Sequence, residues 1–274
     1  MPEASGTTGV ATINGAGLAY ETAGSGRTVV LVHAGICDRR MWDPQFDRYA
    51  ERYRIIRYDL RGFGDSPMVA GPFSHAEDLV ALLDELDAGA AIFIGASMGG
   101  SAALDVALSH PDRVDALITV GSSPKGSKAD DPVLAEAYEE AGKAFETGDL
   151  DRVNEIEMRI WFDGPHRSPD EVDPSLRSSV SAMNLRALQH EREIEGDEQA
   201  PPFRANDRLH ELTIPVLAVV GSLDRIGAVE GSRRIADEVT RGQFAEIPGT
   251  AHLPSMERPR AFDDLVLPFL AALD

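Results

Sequence analysis

The hexapeptide Gly95-Ala96-Ser97-Met98-Gly99-Gly100 constrains this chain more than any other segment. It follows an apolar, strand-like run, Ala91-Ile92-Phe93-Ile94, and opens a helix-like one from Ser101 to Leu108. A Gly-x-Ser-x-Gly between a strand and a helix reads as a nucleophile elbow. The turn holds the serine in a strained backbone conformation with its hydroxyl exposed, so the residues two before and two after it must be small. Both are glycine, Gly95 and Gly99. A serine hydroxyl needs a neighbouring base to take its proton, and a helix starting at the next residue aims N–H groups at the oxyanion that then forms. Taken alone, the same pattern also fits a glycine-rich strand-to-helix turn, so the partners decide.

Pro215-Val216-Leu217-Ala218-Val219-Val220 reads as a buried parallel strand and runs into Gly221-Ser222-Leu223-Asp224. The next such strand, Gln243 to Ile247, runs into Pro248-Gly249-Thr250-Ala251-His252. Ser97, Asp224 and His252 each stand just past the C-terminal end of a candidate strand, and loops at one edge of a parallel sheet converge. Singly, His252 reads as a surface-loop histidine and Asp224 as the N-cap of a helix over 228–238. Jointly they supply nucleophile, base and orienting acid. A further apolar run, Thr28 to Val32, leads into His33-Ala34-Gly35, where an oxyanion loop belongs, with the Gly35 and Met98 amides as its two donors.

Strand-like and amphipathic stretches alternate from Val10 to Val120, the pattern of a parallel sheet with crossover helices. Ser74-His75-Ala76-Glu77 reads as a capping box. From about Lys125 to His210 no convincing strand is legible. Asp131-Pro132, Asp149 and Asp173-Pro174 open three helices there. This predicts a core of residues 1–124 and 211–274 with a helical insert over 125–210. Within the insert, Met158, Trp161 and Phe162 are three and four residues apart and are expected to share one helix face lining the substrate pocket, or to join the insert to the core. The last helix carries Phe262, Leu265, Val266, Phe269 and Leu270 at helical spacing, with a kink or break expected at Pro268.

Together with Asp59-Leu60-Arg61-Gly62-Phe63-Gly64-Asp65-Ser66 after the strand Ile55 to Tyr58, these motifs make the chain similar, over nearly its whole length, to small esterases and lactonases of the α/β-hydrolase superfamily. The order Ser97, Asp224, His252 is the one expected of that group. The resemblance implies an α/β fold, a mostly parallel central sheet flanked by helices with a helical cap after the sixth strand. It also implies an acyl-enzyme on Ser97, no cofactor, and a structural role for His33. Ala34 departs from the pattern, since relatives usually carry glycine there. The motifs specify the fold far better than the substrate. A C–C bond hydrolase, a proline iminopeptidase-like amidase, and a ligand receptor or non-hydrolytic enzyme on the same fold stay open. A serine at the elbow argues against haloalkane dehalogenases and epoxide hydrolases, which place aspartate there.

Composition excludes other classes. With 46 acidic residues against 26 basic ones the net charge is −20, a surface that repels phosphate backbones and anionic lipid. Cys37 is the only cysteine, so no intrachain disulfide forms and a reducing compartment is consistent. Residues 1–9 read as a short flexible tail without the features of a signal peptide, and no run reaches the ~20 apolar residues of a membrane span, which points to a cytoplasmic protein. No His-x-x-x-His, Cys-x-x-Cys, phosphate-binding loop or dinucleotide fingerprint is present, so no metal is expected; the resemblance implies a small ester or lactone as partner, with oligomeric state open.

Overall fold

Val29, Val30, Leu31 and Val32 are all fully buried, because their strand has both faces covered. The computed structural model describes residues 6–127 and 131–273. Ten strands lie among them: β1 (Thr7–Ile13), β2 (Ala16–Ala23), β3 (Thr28–Val32), β4 (Arg54–Tyr58), β5 (Gly71–Phe73), β6 (Ala91–Ala96), β7 (Val114–Val120), β8 (Gly196–Glu198), β9 (Pro215–Gly221) and β10 (Arg241–Ile247). Eight form one sheet in the order β1-β2-β4-β3-β6-β7-β9-β10. The β1–β2 and β2–β4 pairs are antiparallel and every other pair is parallel.

The tail read over residues 1–9 is corrected in part. Thr7 to Gly9 belong to β1 and pair with Tyr20 to Thr22, since an Asn14-Gly15 turn with positive φ at both residues folds β1 back on β2. Residues 1–5 lie outside the described chain.

Successive side chains of β3 and β6 divide between two cores. One face packs Val29, Leu31, Ile92 and Ile94 under α1 (Asp43–Ala50) and the C-terminal helix Pro259–Ala271. The other packs Val30, Val32 and Phe93 under α2 (His75–Glu85) and α3 (Met98–Ser109). Phe262, Val266 and Leu270 are fully buried, each contributing roughly 1.5–3 kcal/mol. The C-terminal helix runs through Pro268 without a break. Pro268 lies on its exposed face, where water can satisfy the carbonyl that loses its partner.

Between β7 and β9 the chain forms α4 (Pro132–Thr147), α5 (Leu150–Glu157), a π-helical turn (Met158–Asp163) and α6 (Pro174–Glu193). Asp131, Asp149 and Asp173 are the N-caps, each accepting from a backbone N–H three residues on. Ala141, Val153, Ile156, Ile160 and Leu188 give these helices a small core of their own. The reading of no strand over 125–210 misses β8, whose three residues pair with β5. Gly196-Asp197-Glu198 has no β-branched or aromatic side chain, so backbone pairing alone makes it a strand. Two further helices, α7 (Ile226–Glu238) and α8 (Pro254–Glu257), follow β9 and β10, which makes the C-terminal helix α9. Among the described residues no helix is long and apolar enough to cross a membrane.

Candidate active site

Parallel register brings the strand ends level: Val32 pairs with Gly95, Ala96 with Val120, Val120 with Val219, and Gly221 with Ile247. The loops that follow therefore open on one edge, where the strand order reverses between β3 and β6, the usual place for a site in such a sheet. Ser97 sits at that switch with φ 49° and ψ −113°, in the left-handed region a side chain seldom adopts. Its N–H is tied to Val120 O at 2.7 Å, and its carbonyl accepts from Ser101 N at 2.9 Å. The flanking glycines are required by close approach. A Cβ on Gly95 would lie 2.6 Å from the Gly100 backbone, and one on Gly99 would press into the carbonyls of Val32 and His33.

His252 and Asp224 meet as a buried pair. His252 Nδ1 lies 2.9 Å from Asp224 Oδ2 and 3.0 Å from Oδ1, which assigns the proton to Nδ1 and leaves Nε2 as a base. Nε2 is buried and has no hydrogen-bond partner among the described residues. Asp224 also accepts from Arg225 N at 2.7 Å, so it serves the histidine and not the helix cap, a role that falls to Arg225 as α7 begins at Ile226. Trp161 lies against the His252 ring with centroids 4.6 Å apart.

The Gly35 and Met98 positions adjoin, with a Cβ on Gly35 falling 3.6 Å from Met98 Sδ. Met98 opens α3, so its N–H has no intrahelical acceptor. Among the described residues no backbone carbonyl takes the Gly35 N–H. Ala34 is accommodated without strain, because its φ is not positive. His33 braces this loop: its ring contacts Ala34 O at 2.8 Å through Nδ1, and Nε2 accepts from Leu60 N at 2.9 Å. Burial pushes the His33 imidazole below its ordinary range, which keeps it neutral for that purpose. The glycine-rich turn from Asp59 to Ser66 supports the same loop. Buried Asp59 accepts from Arg39 N and Asp65 N, both at 2.8 Å, and pairs with the Arg39 guanidinium.

Ser97, Met98, Trp161 and His252 border two cavities. The larger, about 440 Å³, extends toward Ser123, Leu134 and Arg225. The smaller, about 230 Å³, is lined also by Ala34, Gly35, Ile36, Tyr138 and Glu157. Of the three residues read as pocket lining, Trp161 alone reaches the site. Met158 and Phe162 are 0% and 1% exposed and pack into the core with Met41 and Trp42. Met158 and Phe162, four residues apart, face the core together, and Trp161 packs at the margin of that core where it meets the cavities, all three within a π-helical turn, Met158–Asp163.

Sequence reading also misses residues that hold the site. Gly121, with φ +59°, lies where a Cβ would come 3.2 Å from both Asp224 Oδ2 and His252 Nδ1. Gly121→Ala is expected to lower kcat by about 10–100-fold by shifting that pair, with Ser97 still labelled slowly by a serine-directed phosphonate. Unchanged kcat in steady-state assays would show that the pair tolerates the methyl. Arg167 donates to Glu257 at 2.5 Å and to the carbonyls of Phe162 and Asp163 at 2.8 Å, while Glu257 accepts from Ala251 N at 2.8 Å. This buried pair fastens the Trp161 segment to the His252 loop. Neither signal is local in sequence.

Fold and site together place a strained serine beside a buried histidine–aspartate pair at the switch point of a parallel sheet, the architecture of the α/β-hydrolase class. A model of the alpha/beta hydrolase fold family matches residues 27–259, and the chain belongs to that family. It is 29% identical to the pimeloyl-(acyl-carrier protein) methyl ester esterase of Pectobacterium atrosepticum, over 94% of this chain and 100% of that one. It is 24% identical to 3-oxoadipate enol-lactonase 2 of Acinetobacter baylyi, over 82% of each. Among solved structures, a thermophilic esterase from Thermogutta terrifontis superposes with a TM-score of 0.80 at 26% identity, covering 97% of this chain and 99% of that one.

Proposed function

We propose that this chain is a carboxylic ester hydrolase that cleaves small to medium esters or lactones through an acyl-enzyme on Ser97. One observation carries the reading. The His252 ring is held through Nδ1 by both oxygens of Asp224, while its unpartnered Nε2 belongs to a residue that shares both cavities with Ser97. The similarity to ester- and lactone-cleaving relatives supports it.

In the first step Ser97 Oγ bonds to the ester carbonyl carbon as His252 Nε2 takes the hydroxyl proton. The oxyanion accepts from the Gly35 and Met98 amides. Collapse breaks the C–O bond of the leaving alcohol, which takes the proton from Nε2. Water then attacks the acyl carbon under the same base, releases the acid and restores Ser97. Asp224 holds the Nδ1–H tautomer and stabilises the imidazolium. Residues 125–210 act as a cap over this edge, with Leu134, Tyr138, Glu157 and Trp161 among its contributions to the pocket walls. The acidic surface suits neutral substrates in the cytoplasm.

Turnover of p-nitrophenyl acetate, butyrate and octanoate and of a lactone panel tests the reading. Hydrolysis with a chain-length optimum is expected. Folded protein that turns over none of them and takes no phosphonate at Ser97 would contradict it. Truncation of Trp161 to Ala is expected to move the optimum to a different acyl length and to change kcat/KM for the preferred ester by roughly one to two orders of magnitude. A lowered melting temperature with an unmoved profile would instead make Trp161 a structural contact.

A further inference from the structure

Acyl transfer by Ser97 makes no use of Glu157, yet this acid borders the smaller cavity along with the nucleophile, the base and both oxyanion donors. It ends α5, and its Oε2 accepts from Asn184 Nδ2 at 2.7 Å. The same Nδ2 donates to Asn154 Oδ1 at 3.0 Å, and Asn154 Nδ2 donates to Ser181 Oγ at 2.8 Å. The carboxyl is thus oriented from behind by a relay of amides. Oε1 has no hydrogen bond among the described residues, and neither does either oxygen have an arginine or lysine partner there. Burial, with Glu191 adding a like charge, holds the carboxyl above its ordinary range. Protonated or not, it keeps an acceptor for an incoming donor. A site built around an unfilled acceptor favours the ligand that fills it over an analogue that cannot.

We propose that Glu157 is a specificity-determining residue that accepts a hydrogen bond from a hydroxyl on the substrate, so that the preferred esters or lactones carry a hydroxyl on the arm that fills the oxyanion-side cavity. This rests on the ester-hydrolase reading above. The cavity, about 230 Å³, has room for a short arm, and Tyr138 and Ile36 in its lining give that arm one polar and one apolar neighbour.

Matched pairs test it by ratio of kcat/KM. The acyl arm is probed with p-nitrophenyl 3-hydroxybutyrate against p-nitrophenyl butyrate, and the alcohol arm with 2-hydroxyethyl butyrate against propyl butyrate. Comparing wild type with Glu157→Leu cancels the intrinsic reactivity of each ester. At least one pair is expected to lose about tenfold of its hydroxyl preference in Glu157→Leu, and Glu157→Gln, which keeps an acceptor oxygen, is expected to retain most of it. Glu157→Met replaces the leucine variant if that fails to fold. Ratios that agree within about twofold between wild type and the apolar variant for both pairs, even with a lower melting temperature, overturn the proposal and leave Glu157 as a structural partner of α6. So does a wild-type hydroxyl preference below about twofold for both pairs. Wild type that hydrolyses no ester at all contradicts the hydrolase reading instead.

Discussion

Ser97→Ala is expected to lower kcat on p-nitrophenyl esters by on the order of 10⁴ to 10⁶, with the fold intact, because no neighbouring group can replace the nucleophile. The alternative hydroxyls at the larger cavity are committed elsewhere. Ser101 Oγ donates to Ser123 O at 2.9 Å, and Ser123 Oγ donates to Gly227 O at 2.8 Å. Alanine keeps the elbow's backbone demand, φ 49° at position 97, so the melting temperature should hardly move. What remains after substitution is the catalysis the Gly35 and Met98 amides and the cavity walls still provide. A serine-directed phosphonate, mapped by mass spectrometry, is expected to label wild type at Ser97 alone. Persistent labelling at Ser101 or Ser123 in Ser97→Ala would reassign the nucleophile.

The parts of this site readable in sequence are those whose constraint is local. An elbow needs two small residues at fixed spacing, and a buried parallel strand needs an unbroken apolar run, so Ser97, Asp224 and His252 could each be placed past a strand end before any coordinates. Helix starts were equally legible at Asp131, Asp149 and Asp173, because an N-cap acts within its own first turn. Constraints reaching across the fold were not. Gly121 is a glycine because two residues more than a hundred positions away crowd it, and the Arg167–Glu257 pair joins elements 90 residues apart. Trp161 borders both cavities, whereas Met158 and Phe162 join the insert to the core, the other arrangement their spacing allows. Helical spacing alone does not say which of two apolar surroundings, core or cavity, a face meets, and no proline or glycine marks where α5 passes into the π turn. Strand β8 escaped for the complementary reason, since its side chains carry no strand preference and only its partner defines it.

Asp224→Asn is expected to lower kcat by roughly 10³ to 10⁴, less than loss of the nucleophile, with KM changing little. Both carboxylate oxygens lie within 3.0 Å of His252 Nδ1. An asparagine there can turn its NH₂ toward the ring, which favours the tautomer with the proton on Nε2 and removes the base from the serine's side. Among the described residues the nearby acids are committed elsewhere. Directly after β7 stand Ser122-Ser123-Pro124, and Asp131, farther along at the same cavity, is engaged as the N-cap of α4 and as the partner of Arg225. Glu257 packs on the His252 loop, but one of its oxygens accepts from Ala251 N and the other holds Arg167, so turning it to the ring would break a buried pair and release the Trp161 segment. Steady-state rates on a p-nitrophenyl ester, with phosphonate labelling to confirm that Ser97 is in place, check the expectation. An Asp224→Asn enzyme that keeps more than about half of its activity would require a different orienting acid, and the double substitution with Glu257→Gln would then show whether Glu257 had moved into the role.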